Sequence, residues 1–263
     1  MYMRGLHNIG NTCYFNTSLQ CLLQIPPVSN YFLQQGYSGS CGFTKEYAKL
    51  VTRFWTAEEK RAPLDVRPLL VEFQHHFPRF VLGQPHDVQE AVLCIIDILE
   101  RSVPELKTLF YGKKRQETLY PGGKKEHEED FSVHLMCSNS DNLQTMLEES
   151  MQWNTLTDYT DDTGKTHNIA TTRNVFSVMP QIFMVSFDKK SFINTSEYLQ
   201  VGHIKYRLLA AAAHAGIQWH GHYVAFTRHK DKWYYKNDDF VEETTLPPQC
   251  GFYFMMYKVL DPM

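Results

Sequence analysis

The sequence predicts an α+β fold, with a helical lobe over about residues 1–110 and an antiparallel β lobe over about 111–263, both within one domain spanning 1–263. Three observations predict it. Apolar residues recur at helical spacing through the first hundred positions. After Leu106 the pattern changes to alternation and short strand-type runs. No internal repeat or low-complexity linker divides the 263 residues.

The first helix is expected beside Cys13, with Asn11 and Thr12 as caps and Phe15, Leu19, Leu22 and Leu23 on one face. Pro26-Pro27 should end it. A second helix is expected from about Pro63 to His76, on Val66, Leu69, Leu70 and Phe73. The strongest helical stripe is Val88, Ala91, Val92, Ile95, Ile96 and Leu99, with Pro85 in the first turn. Beyond it, Lys113-Lys114-Arg115 precedes a turn at Tyr120–Gly123 and an acidic run from Glu126 to Asp130. Phe131–Leu135 alternates like a strand, and Asn142–Trp153 suits a short helix. Asn154–Asn174 is rich in Thr, Asp and Asn and reads as a loop. Strands are then expected at Gln181–Phe187, Lys205–Ala213, Tyr223–Arg228, Trp233–Lys236 and Phe252–Lys258, joined in an antiparallel sheet.

A net charge of −3 gives no case for nucleic acid or an anionic membrane as partner. No apolar run reaches 18 residues, and the first residues lack the apolar core of a signal peptide. A cytoplasmic or nuclear location is therefore expected. The six cysteines, at 13, 21, 41, 94, 137 and 250, form no C-x-x-C pair and are too few for a disulfide scaffold. The useful question is whether one of them reacts.

Cys13 is the candidate. A helix start favours the thiolate through unpaired N–H groups and the helix dipole, and Gly10 lets the chain turn into the helix. Cys21 and Cys94 read as small core side chains. A thiolate nucleophile needs a base, and His222 stands at the start of a strand beside Gly221, where lack of a side chain leaves room for a substrate backbone. His214 and His220 are the alternatives. If Arg228 pairs with Trp233, opposite residues sum to 461. Asn237 then lies diagonally from His222 on one face and Asp238 points away. A turn one residue longer or shorter exchanges the two. Either side chain can accept a hydrogen bond from the imidazole and fix its tautomer.

Gly5-Leu6-His7-Asn8-Ile9-Gly10-Asn11-Thr12-Cys13-Tyr14-Phe15-Asn16 resembles the cysteine box of the ubiquitin-specific proteases, and Gly221-His222-Tyr223 through Trp233, Asn237 and Asp238 resembles their histidine box. Gln84–Glu90 is similar to the family's Q-x-D-x-x-E segment, and Tyr206–His214 to the strand that leads into the histidine box. The resemblance implies a papain-like cysteine protease fold with helical thumb, antiparallel palm and reduced fingers. It implies a deubiquitinase with Cys13 as nucleophile, His222 as general base, Asn237 in the third position, Asp238 as the acidic residue that follows, and Asn8 as oxyanion donor. Its partner is ubiquitin or a ubiquitin-like modifier and their conjugates, and a monomer is expected. The starting point close to the cysteine box reads as a minimal catalytic domain or a compact standalone protease. No cofactor is implied.

The two C-x-x-C pairs that bind zinc in most members have no counterpart. The first would fall near Leu119–Gly123, the second between about Met151 and His167. No metal is expected; the other arrangement is a lone site among His127, His134, Cys137 and His167. Besides an active deubiquitinase, two readings remain open: a protease for another ubiquitin-like modifier, and a non-catalytic ubiquitin-binding module.

Overall fold

In a computed structural model describing residues 3–56, 62–137, 140–217 and 220–260, helix α1 (Cys13–Leu22) starts at the cysteine itself. Its entire length is buried. Phe15, Leu19 and Leu22 enter the larger of two apolar cores. Thr12 occupies the cap position without capping. Its hydroxyl donates to Asn8 Oδ1 and accepts from the Ile9 N–H, so it braces the preceding loop. Pro26-Pro27 does not merely end α1; it opens α2 (Pro26–Gln35), where a missing N–H costs nothing. α3 (Gly42–Thr56), α4 (Arg67–His76) and α5 (Val88–Ser102) complete the helical lobe, followed by the short α6 (Lys107–Phe110). α4 begins at Arg67 rather than Pro63. α5 is capped by Asp87, which accepts from the Glu90 N–H at 2.8 Å, so Pro85 lies before the helix and not in its first turn.

Two sheets follow. The smaller is formed by β1 (Gly112–Tyr120), β2 (Gly123–Phe131), β4 (Asn154–Thr160) and β5 (Thr166–Val178), in the order β2-β1-β5-β4. Lys113, Lys114 and Arg115 on β1 stand opposite Asp130, Glu129 and Glu128 on β2. The basic and acidic runs of the sequence are therefore two sides of one hairpin, turned at Pro121-Gly122 with Gly122 at φ 93°. The expected loop at 154–174 is instead most of β4 and β5. Both faces of this sheet are largely solvated, so its Thr-rich strands lack apolar alternation, yet β-branched Thr suits extended backbone.

The larger sheet has the order β11-β10-β9-β8-β12-β6-β3. Its strands are β3 (Val133–Met136), β6 (Ile182–Asn194), β8 (Ile204–Ile217), β9 (His220–His229), β10 (Lys232–Asn237), β11 (Phe240–Thr244) and β12 (Gln249–Val259). β7 (Tyr198–Val201) pairs with β8 at the side. β3 runs parallel to β6, so the sheet is not wholly antiparallel. The run expected as one strand at 131–135 breaks at Ser132, with Phe131 in the small sheet and Val133 in the large one. α7 (Leu143–Ser150), capped by Asn142, packs on β3 and β7. α1 lies directly against β8, β9 and β10, which brings Cys13 to the sheet. Among the described residues, no helix is long and apolar enough to cross a membrane.

Candidate active site

β9 and β10 carry the histidine side of the site. Arg228 pairs with Trp233 and Ala225 with Lys236, the register expected from a sum of 461. Asn237 closes β10 diagonally across from His222, and His222 Nε2–H donates to Asn237 Oδ1 at 2.7 Å. This bond fixes the ring tautomer with Nε2 protonated and leaves Nδ1 free to act as a base. The neighbouring Cys13 side chain is the largest influence on the ring and pushes the His222 pKa up to about 9 against the opposing effect of burial; Asn237 and the charge of Asp238 add to it. The ring is thus an imidazolium at neutral pH, beside a sulfur at the first position of α1.

Asp238 departs from the strand-parity expectation. Strand alternation ends at Asn237, and Asp238 takes φ 50° in the β10–β11 turn. Its carboxylate therefore comes to 3.7 Å from His222 Nε2 instead of pointing away. Asp238 Oδ2 accepts from Asn8 Nδ2 at 2.8 Å, and Oδ1 accepts from Asn16 Nδ2 at 2.7 Å. Asn8 Oδ1 in turn accepts from the N–H groups of Gly10 and Thr12, which folds residues 8–12 around it. The five sequence candidates, Cys13, His222, Asn237, Asn8 and Asp238, thus meet in one cluster. The backbone joins it as well. Leu6 N–H donates to the Asp238 carbonyl at 2.9 Å, and a Cβ on Gly5 would lie 2.3 Å from the Asp239 carbonyl oxygen.

Gly221 makes room for something other than a substrate backbone. A Cβ there would lie 1.8 Å from His214 Nε2, so the glycine accommodates the His214 ring, which packs on Tyr223 at 4.5 Å between centroids. His214 belongs to this aromatic wall. The side chain of His220, the other alternative base, lies outside what the structure describes. Tyr223 packs against Tyr253, whose hydroxyl donates to Asp87 Oδ2. Asp87 thereby caps α5 with one oxygen and ties the helical lobe to β12 with the other. Sequence reasoning found the Gln84–Glu90 segment but not this link, because Tyr253 lies 166 residues away. It also missed Asn16, although helical spacing puts it one turn from Cys13.

Comparison with known proteins bears on what this cluster belongs to. The family described as ubiquitin carboxyl-terminal hydrolase matches residues 4–257. The chain belongs to that family. Among its hydrolase relatives, ubiquitin carboxyl-terminal hydrolase 25 of Arabidopsis thaliana is 24% identical, over 92% of this chain and 45% of its own length. Ubiquitin carboxyl-terminal hydrolase 16 of the same plant is 35% identical over 36% of this chain and 10% of its own length. The rat ubiquitin carboxyl-terminal hydrolase 2 is 34% identical over 38% and 18%. The chain therefore spans less than half of these curated relatives. A solved structure of the SAGA Ubp8/Sgf11/Sus1/Sgf73 DUB module bound to ubiquitin aldehyde contains a chain that superposes with a TM-score of 0.88. It is 18% identical, and the match covers 98% of this chain and 70% of that one, which establishes the shared fold.

Away from this cluster, Cys21, His134 and His167 have surroundings that account for them. Cys21 is fully buried and its thiol is pushed up to about 12 by burial. His134 donates or accepts with Ser150 Oγ at 2.9 Å, and burial pushes it down to about 4. His167 bonds Asp161. Among the described residues no three His, Cys, Asp or Glu side chains converge as a metal site.

Proposed function

We propose that the chain is a thiol-dependent deubiquitinase that hydrolyses the peptide or isopeptide bond at the C-terminal glycine of ubiquitin. The observation that carries the reading is the Cys13–His222–Asn237 array, set in a chain that matches the hydrolase family from residue 4 to 257. The Cys13 thiolate attacks the glycine carbonyl carbon. The oxyanion meets the Cys13 N–H, for which the first helical turn supplies no acceptor, and the Asn8 Nδ2 proton not used by Asp238. His222 gives its proton to the leaving amine as the C–N bond breaks. Water then attacks the thioester with His222 as base, which restores the thiol. Asn237 orients the ring without charge; Asp238 supplies charge and holds Asn8.

Ubiquitin bearing a C-terminal electrophile is expected to label Cys13, and Cys13→Ala to abolish labelling and hydrolysis. A folded wild type that ignores the ubiquitin probe, yet reacts with a probe built on another ubiquitin-like modifier, would move the substrate to that modifier. Ubiquitin binding without hydrolysis, unchanged by Cys13→Ala, would make the chain a binding module.

A further inference from the structure

Lys236 is 2% exposed, with its amine in the core of the molecule. It stands on β10 immediately before Asn237. Nζ donates to Gln20 Oε1 on α1 at 2.7 Å, and Gln20 Nε2 donates to the Arg4 carbonyl at 2.8 Å. The Phe54 ring of α3 lies 5.0 Å away, and Cys21 faces the amine from α1. With its amide oxygen turned toward the lysine, Gln24 accepts a second bond from Nζ at 3.1 Å and donates to the Arg228 carbonyl at 3.1 Å.

These contacts form part of a pattern. Cys13, Asn16 and Gln20 are spaced i, i+3, i+7, so they line one stripe of α1. Opposite them, Lys236 and Asp238 are two residues apart on the hairpin, while Asn237 between them faces His222. The helix and hairpin therefore meet through three successive polar contacts: Cys13 with His222, Asn16 with Asp238, and Gln20 with Lys236. The first two belong to the reaction site. The third is a full helical turn beyond and touches no reacting atom.

A buried amine is a poor way to gain stability. Burial penalises its charged form and holds its pKa down to about 7, and an apolar side chain of similar size fills the same space without that penalty. What an apolar side chain lacks is a directional donor. Apolar contacts are non-directional, whereas a hydrogen bond holds one position, and here it adds a second tie beside that of Asn16 to Asp238. We propose that Lys236 is a positioning residue, whose bond to Gln20 fixes the lengthwise register of α1 against β10 and so sets how Cys13 meets His222. The proposal rests on the reading of Cys13 and His222 as nucleophile and base.

Lys236→Met keeps the chain length and removes the donor. The expected result is a melting temperature equal to or above wild type, with kcat on a ubiquitin C-terminal amide reduced about tenfold or more and KM within twofold. Alkylation of Cys13 by iodoacetamide should slow, because the sulfur meets the His222 ring less well. Gln20→Met should reproduce the defect, and the double variant should be no worse than the more impaired single variant. Wild-type kcat and alkylation in Lys236→Met would overturn the proposal. So would a loss of activity that only tracks the loss of folded protein, with kcat per titrated active site unchanged. The alkylation measurement needs no ubiquitin, so it decides the positioning role even where the substrate reading fails.

Discussion

Three neighbours favour the protonated form of His222. Cys13 contributes most, Asn237 orients the ring through a neutral bond at Nε2, and Asp238 contributes charge from 3.7 Å. With a pKa pushed up to about 9, the imidazolium that protonates the leaving amine persists through neutral pH. The kcat/KM profile is therefore expected to fall as pH rises through about 9. Asn237→Ala removes one of the causes that raise the pKa, so its alkaline limb should move to lower pH, with kcat down roughly 100-fold or more. The stability sign follows from the same group. The folded value lies above the unfolded value of about 6.5, so the folded state binds the proton more tightly. This contribution is complete below about pH 6.5 and is lost as pH rises to about 9. Denaturation of wild type and Cys13→Ser should differ most at pH 6 and converge above pH 9. An unchanged gap across that range would remove Cys13 as the partner of the proton. Buried His134 behaves oppositely. Its folded value of about 4 lies below the unfolded one, so stability should fall by about 3 kcal/mol between pH 6.5 and 4, and His134→Gln should flatten that slope.

At the scale of elements, the site was legible wherever local rules hold. The register of β9 with β10 followed from pairing Arg228 with Trp233 across an even-length turn, which the structure tightens to Lys230-Asp231, and alternation then put Asn237 beside His222. The same rule misassigned Asp238, because alternation ends where φ becomes positive. Gly221 read as space for a substrate because a sequence does not reveal that β8 lays His214 over it. The Thr-rich strands β4 and β5 were illegible since neither face is fully buried; their pairing is visible only with β1 beside them, as in the Thr118–Thr172 hydroxyl contact. One junction tests how tightly the elements are locked. Gly5 crosses the β10–β11 turn with no room for a Cβ, and its neighbours there are backbone carbonyls that cannot swing aside. Gly5→Ala should push the turn off the cysteine loop, costing about 1–3 kcal/mol in chemical denaturation. Because that turn carries Asp238, kcat should drop as well. Full activity with wild-type stability would mean the turn is free to move.

Across the whole molecule, α1 packs on the large sheet and brings Cys13 to it, while the small sheet is a separate unit of pairing with its own means of cohesion. At its tip, where zinc-binding members carry cysteines, Tyr120 packs on His167 at 4.8 Å and on Tyr159 at 5.3 Å between centroids. His167 Nε2 donates to Asp161 Oδ2 at 2.8 Å, and both side chains are nearly enclosed, 4% and 8% exposed. Asp161 Oδ1 accepts from the Thr163 and Lys165 N–H groups and the Thr163 hydroxyl, which closes the β4–β5 turn. His167, then Thr163, hold the Asp161 carboxyl well below the usual carboxylate range. A hydrogen-bonded pair under an aromatic lid thus joins β1, β4 and β5 in a sheet separate from the one that carries His222. If this sheet grips the modifier, loosening its tip should weaken binding and leave the chemistry intact. Asp161→Ala is expected to raise KM for a ubiquitin substrate several-fold, with kcat and the iodoacetamide reactivity of Cys13 unchanged. A chelator should leave the melting temperature of the wild type where it is, since the tip is closed by His167 and Asp161. A fall in kcat equal to the rise in KM would instead mean that the small sheet is coupled to the Cys13–His222 site. A chelator-induced drop in melting temperature would mean that a metal, rather than this pair, closes the tip.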